Sequence, residues 1–262
     1  MNENTKKMIR TLQTNFPLFL DSKFSAMRFY RNKLKIAFET DFNALSLFPD
    51  ADRALYLDVG ANRGQSTDAI LLKTKNCLIQ QFEPNQALCE KLTRQFSANN
   101  HIILNRFGLG DRSEEQILYV PFYKQWMFDG LASFDEMEVR NWLENHILFY
   151  NEKNLSLRPL KCQTKTLDEL NLKPFFIKLD IQGFEYRALR GAEQTLVSHQ
   201  PILLVETPGE KIISFLKNLG YEFYAFSNGK FSPGATGGQN TFFMTEAKAA
   251  LVKKFIEPLN TN

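Results

Sequence analysis

The chain predicts an α/β fold: a mostly parallel sheet of seven strands with helices on both faces and an antiparallel last strand. Two observations carry this expectation. From residue 54 onward, short apolar runs alternate with stretches of helical period. The last two runs have no helix between them, so they can only close as a hairpin. The strands are expected at 54–58, 77–82, 102–106, 175–179, 202–205, 221–226 and 241–245. The intervening helices are expected at 64–75, 85–99, 184–198 and 210–219. In the second of these, Leu88, Leu92 and Phe96 form one stripe and Asn85 suits the N-cap.

The composition fits a globular protein. Of 262 residues, 44% are hydrophobic and 23% charged, which excludes a wholly disordered, collagen-like or coiled-coil chain. A net charge of +3 is too small to argue for nucleic acid. Cys77, Cys89 and Cys162 form no CxxC pair and are too few for a disulfide framework, so a reducing, cytoplasmic compartment is expected. No apolar run approaches the roughly 20 residues of a membrane span, and the start lacks the apolar core of a signal peptide.

Residues 1–50 differ from the rest. Ile9, Leu12 and Phe16, then Phe29, Leu34 and Phe38, recur at helical spacing among Lys6, Lys7, Arg10, Lys23, Arg28, Arg31, Lys33 and Lys35. Amphipathic helices packed on the main domain, residues 51–262, are expected; a lid, a dimer contact or an anionic-surface contact is the sharper alternative. Residues 112–174 form a long departure from the alternation, with a strand-like run at 116–120 and both tryptophans, Trp126 and Trp142. Such a region is usually functional or carries its own structure, and this one is expected on the substrate side. Its aromatics, Tyr119, Phe122, Tyr123, Trp126, Phe128, Trp142, Phe149 and Tyr150, suit either a small core or stacking on sugars. The glycines at 229, 234, 237 and 238 suggest a flexible rim opposite, where Asn240 could touch substrate. The tail, 247–258, reads as a docking helix or a dimer contact.

Ligands of open α/β sheets bind at the carboxyl ends of the strands, where strand order reverses. The expected strand ends carry Asp58, Glu83, Asp180 and Glu206, with Asp111 slightly later on the third. This row of acids suits a ligand with hydroxyls and an ammonium group. Gly60 and Gly64 permit a tight turn close to a ligand. Glu83 lies 19 residues after Gly64, where a ribose-binding acid is expected. Those features fit NAD as well as S-adenosylmethionine. The G-x-x-x-G spacing, the acid at Asp58 and the terminal hairpin favour the second.

The segments from Leu57 to Ser66 (LDVGANRGQS), Phe82 to Asn85 (FEPN), Lys165 to Leu170 (KTLDEL) and Ile177 to Glu185 (IKLDIQGFE) resemble the FkbM family of S-adenosylmethionine-dependent methyltransferases. The resemblance implies the class I methyltransferase fold, which is Rossmann-like, and O-methylation of a sugar, glycan or secondary-metabolite hydroxyl. It would place Asp58, Gly60, Asn62, Gly64 and Ser66 around the methionine part of the cofactor and Glu83 on its ribose.

Methyl transfer to a hydroxyl needs positioning and a proton acceptor. Asp180 is the expected base and also a cofactor contact, with Lys178 two residues earlier on its side of the strand. Glu185 could face the same cleft or simply stabilise a helix N-terminus. Of the histidines, only His146 is a plausible base; His101 and His199 flank elements, and none shows metal-ligand spacing. No metal is expected as an obligate partner, although Asp180 and Glu206 could hold a hard cation. Other readings are an RNA or protein methyltransferase, a binding module of the same fold without turnover, and a nicotinamide oxidoreductase.

Overall fold

The computed structural model describes residues 3–49 and 53–258. The chain begins with helices α1, Glu3–Gln13, and α2, Leu20–Leu34, and a 3-10 stretch, Thr40–Leu47. Then come β1, Leu55–Val59; α3, Gln65–Lys73; β2, Leu78–Phe82; α4, Gln86–Phe96; and β3, Ile102–Asn105. The next portion holds β4, Gly108–Leu109; β5, Glu114–Tyr123; β6, Trp126–Met127; α5, Glu136–His146; and β7, Leu155–Lys165. After it come β8, Pro174–Leu179; α6, Glu185–Arg190; α7, Glu193–His199; β9, Ile202–Glu206; and α8, Glu210–Asn218. The chain closes with β10, Tyr221–Ser227; β11, Lys230–Pro233; β12, Asn240–Thr245; and α9, Glu246–Ala250.

The main sheet runs β11-β10-β12-β9-β8-β1-β2-β3. β3, β2, β1, β8 and β9 are parallel, and β12 is antiparallel to both β9 and β10. The chain steps outward from β1 to β3, then crosses back to lay β8 beside β1. Strand order reverses at the β1/β8 boundary, and a crevice opens there. The two faces alternate as the pleat requires. Tyr56 and Phe176 join a core with Phe42, Ala44 and Leu45 of the 3-10 stretch. Leu57, Val59, Ile177 and Leu179 join the opposite core with Leu189, Leu196 and Leu216.

Three details depart from the expected layout. The sheet has eight strands among the described residues, because β11 is added at its edge. Asn228 and Gly229 both have positive φ, 50° and 79°, between the paired Ser227 and Lys230. That is a two-residue hairpin, and Asn-Gly is its strongest short signal. Part of the expected flexible rim is therefore strand. Next, the helix expected at 184–198 is two helices. A Cβ on Gly191 would lie 1.9 Å from the carbonyl oxygen of Gly110, so the loop after β4 packs directly against the break. Asp168 then accepts from Thr195 N and Oγ1, at 2.8 and 2.7 Å, and so caps α7 from another segment. Last, the region 112–174 carries its own structure: its β5, β6 and β7 join β4 in a second sheet, β4-β7-β5-β6, in which β5 and β7 pair antiparallel from Glu114↔Thr164 to Tyr123↔Leu155.

Asn85 caps α4 as expected, its side chain accepting from Ala87 N at 3.1 Å. The tail docks on the main sheet: Ala249 and Val252 are buried in its core and Glu257 N bonds Phe231 O at 2.9 Å. No helix among the described residues is long and apolar enough to cross a membrane. Cys77, Cys89 and Cys162 are buried and form no disulfide.

Candidate active site

A polar row crosses the middle of the sheet beneath the crevice. Asp58 sits in register with Gln81 of β2 on one side and Lys178 of β8 on the other. All three are buried, on the face otherwise occupied by Tyr56 and Phe176. A charge there needs partners. Thr67 donates to Asp58 Oδ2 at 2.5 Å, and Gln81 donates to Thr67 at 2.7 Å. Lys178 Nζ lies 3.9 Å from Asp58 Oδ1, 3.1 Å from Asp180 Oδ2 and 3.3 Å from the Gly60 carbonyl oxygen. Burial pushes the Asp58 carboxyl upward against the pull of Lys178. For Lys178 burial opposes the charge, yet Asp180 and Asp58 hold the ammonium above its ordinary range.

Above this row lies a cavity of about 270 Å³ lined by Gly60, Asn62, Ser66, Glu83, Lys178, Asp180, Gln182 and Glu206, among others. Gly60 has φ 81°, and a Cβ there would lie 2.0 Å from the Asp180 carbonyl oxygen. Its freedom therefore serves contact between two strand ends as well as room for a ligand. Asn62 is also left-handed, at φ 48°, and its Oδ1 is a buried acceptor without a hydrogen-bond partner. Glu83 accepts from Asn62 N and Asn85 N, both at 2.8 Å. Burial nonetheless pushes its carboxyl up to about 7.

At the far end, Gln182 Nε2 donates to both Asp180 Oδ1 and Glu206 Oε2, at 2.9 Å each. Burial disfavours the Asp180 charge, but Lys178, Glu206 and Gln182 together hold that carboxyl below its ordinary range. Glu206 moves the other way. Burial and the neighbouring Asp180 push it up to about 8. Two adjacent carboxyls that titrate apart leave one ionised and one protonated at neutral pH.

The remaining expected residues lie around this cavity. Asp58 lies under the floor and meets the ligand space through Lys178. Gly64 starts α3 with φ 78°, and the space of its missing Cβ is filled by Phe96 and Gln95. Glu185 turns back, its Oε1 accepting from Ile181 N at 2.8 Å, and braces the loop after β8. Asn240 holds the N-terminal segment by donating to Glu39 Oε2 at 2.8 Å and Asp41 Oδ2 at 3.1 Å. Glu39 itself lines the cavity, and burial raises its carboxyl. His146 stacks on Trp142 at 4.0 Å, in the satellite core of the second sheet and away from the cavity. Among the described residues no group of three His, Cys, Asp or Glu side chains is placed to hold a metal ion.

Sequence reasoning expected residues 112–174 on the substrate side but did not name the side chains that form the other wall. Phe24, Phe38, Leu118, Ala132 and Phe134 line it, with Asp129 and Gly130. Arg63 staples this wall to the crevice: it hydrogen bonds Asp129 of the second-sheet region and, at 2.8 Å, Asp21 of α2. Asp129 could have been noticed as a lone acid among apolar residues. Nothing local marked Phe24, which belongs to an ordinary amphipathic helix. The segment at 165–170 also has a plain structural use. Thr166 and Glu169 exchange bonds in a capping box, with Glu169 N donating to Thr166 Oγ1 at 3.2 Å, and Asp168 caps α7.

The strand order, with its crossover from β3 to β8 and its antiparallel β12, is that of the class I methyltransferases, and the cavity lies at the crevice where strand order reverses. The Methyltransferase FkbM domain model matches residues 58–223, and the chain belongs to that family. Among solved structures, the chain is similar to an FkbM methyltransferase from Methylobacillus flagellatus, at 15% identity and a TM-score of 0.48, over 76% of this chain and 47% of that one. The chain thus spans about half the length of that relative. A precorrin-6y C5,15-methyltransferase from Geobacter metallireducens is 13% identical with a TM-score of 0.38, over 76% of this chain and 83% of the other. An rRNA methylase from Streptococcus thermophilus is 10% identical with a TM-score of 0.40, over 78% and 93%. None of the curated proteins matches the chain.

Proposed function

We propose that the chain is an S-adenosylmethionine-dependent O-methyltransferase acting on a hydroxyl of a sugar, a glycan or a secondary metabolite. One observation carries this reading. A single cavity at the strand-reversal crevice joins an unpartnered acceptor on Asn62, a buried carboxyl on Glu83 and the Lys178–Asp180–Gln182–Glu206 cluster. Gly60, Asn62 and Ser66 would hold the methionine part of the donor, with Asp58 and Gly64 shaping that loop from behind. Asn62 Oδ1 offers the missing acceptor for an ammonium, and Glu83 offers oxygens to ribose hydroxyls. When bound, S-adenosylmethionine supplies an electrophilic methyl group on a sulfonium.

The protein's own part is orientation and proton uptake. Asp180, ionised and steered by Lys178 and Gln182, accepts the hydrogen bond of the acceptor hydroxyl and takes its proton as the oxygen gains its methyl group. Glu206 sets the strength of that base. Below about pH 8 it is protonated and shares its proton with Asp180; above, the pair is doubly ionised and binds a proton more tightly. Turnover should rise with pH through about 8, and Glu206→Gln should remove that rise.

A mass-spectrometric screen of sugars and sugar conjugates for a methyl-sized mass gain tests the activity. Calorimetry tests the donor. Capture of NAD with S-adenosylmethionine ignored would overturn the reading, and donor binding without any turnover would leave a binding module.

A further inference from the structure

The twelve large apolar side chains exposed between Met8 and Phe38 form two-thirds of all such side chains among the described residues. They are not scattered. Phe19, just before α2, and Met27, Tyr30 and Leu34 within it fall at helical spacing on one stripe, with the half-buried Lys23 between them. At its start, Ile9, Leu12, Phe16 and Phe19 surround a shallow concavity floored by Trp126, with Phe16 and Phe19 edge to face at 6.3 Å. Leu18, at the tip between the two helices, is 93% exposed. Apolar surface gathered in one segment in this way marks an interaction site.

The charge of the same segment says with what. Residues 1–37 hold eight Lys and Arg against two Asp and Glu, while residues 38–262 hold 24 against 27. The apolar face is thus embedded in the net-positive part of a chain that is otherwise net negative. Lys6, Lys33 and Lys35 are exposed. A second copy docking here would set like charge against like charge. An anionic lipid surface satisfies both features, since apolar side chains enter the acyl boundary while Lys and Arg meet the headgroups.

We propose that α1 and α2 form a membrane-seating face that binds anionic bilayers. α2 carries this stripe and also places Phe24 in the cavity wall, so the seat and the ligand cavity share one helix.

Vesicle flotation of the full chain, without donor or acceptor, tests this independently of any methyl transfer. Vesicles of phosphatidylcholine alone are compared with vesicles containing phosphatidylserine. The bound fraction should be at least about tenfold higher on the anionic vesicles and should fall sharply between about 0.1 and 0.5 M salt. Leu18→Asp with Phe19→Asp changes exposed side chains only and should lower it about tenfold while the circular dichroism spectrum stays unchanged. Lys6→Glu, Lys33→Glu and Lys35→Glu combined should act similarly. Failure of the native chain to float with either vesicle would overturn the proposal. So would a dimer in light scattering that the Leu18→Asp, Phe19→Asp pair dissolves, because the face would then serve a second copy.

Discussion

The crevice wall of the cavity carries Glu83, Lys178, Asp180, Gln182 and Glu206 at or just beyond strand ends, each tied to a neighbour by hydrogen bonds. The facing wall carries Phe24, Phe38, Leu118 and Phe134 on α2, a connecting segment and the second sheet, held to the crevice through Arg63. One wall is polar and buried or half-buried, and the ends of parallel strands fix its geometry. The other is apolar and is assembled from segments that the sheet does not constrain. On the proposed function, reaction chemistry falls to the first wall and shape selection to the second, which is where members of one fold can diverge.

Substitutions on the two walls should therefore fail differently. Asp180→Asn should lower turnover by about 10² to 10⁴ with little change in thermal midpoint, measured by mass spectrometry and calorimetric melting. Full turnover by this variant would remove Asp180 from the mechanism. Lys178→Met should act on the fold, destabilising it by about 3–5 kcal/mol in urea, because Asp58 would remain buried without its cation. On the apolar wall, Phe134→Ala should raise the acceptor KM by about tenfold and leave kcat within about threefold, since the ring contributes contact area and no proton chemistry. An equal fall in kcat would place Phe134 with the reacting groups.

The smallest effect concerns Glu83. Its carboxyl titrates near 7 in the folded chain, against an ordinary value near 4.5. Donor affinity should rise a few-fold as pH passes upward through 7, because ribose hydroxyls are better accepted by the carboxylate. Stability should move oppositely: the folded chain binds this proton more tightly, so its contribution declines as pH rises from about 4.5 to 7. Calorimetry with Glu83→Gln should show the pH dependence of affinity flattened.

Local pattern made most of the main sheet readable. Five-residue apolar runs ended in acids, and two of those runs, at β1 and β8, each hid a charge in the fourth or fifth place that the register later paired across strands. Asn85 at its cap, the antiparallel β12 and the acids at the crevice all followed from residue type and spacing. The division of the 184–198 helix falls at Gly191, a residue visible in the sequence, whereas the close packing of Gly110 against it, from 81 positions away in the chain, was not. The Asn228-Gly229 turn was legible and was overlooked among its neighbouring glycines.

The amino-acid sequence by itself determined the alternation of strand and helix, the row of carboxylates at the strand ends and the family, since these rest on periodicity and on residues close together in the chain. Only the tertiary structure decided which carboxylates face the cavity. Asp58 went beneath the floor, Glu185 went to a backbone N–H, and Glu206 came beside Asp180. A side chain's charge state and exposure depend on what distant segments bring within a few ångströms of it, and no local pattern encodes that distance.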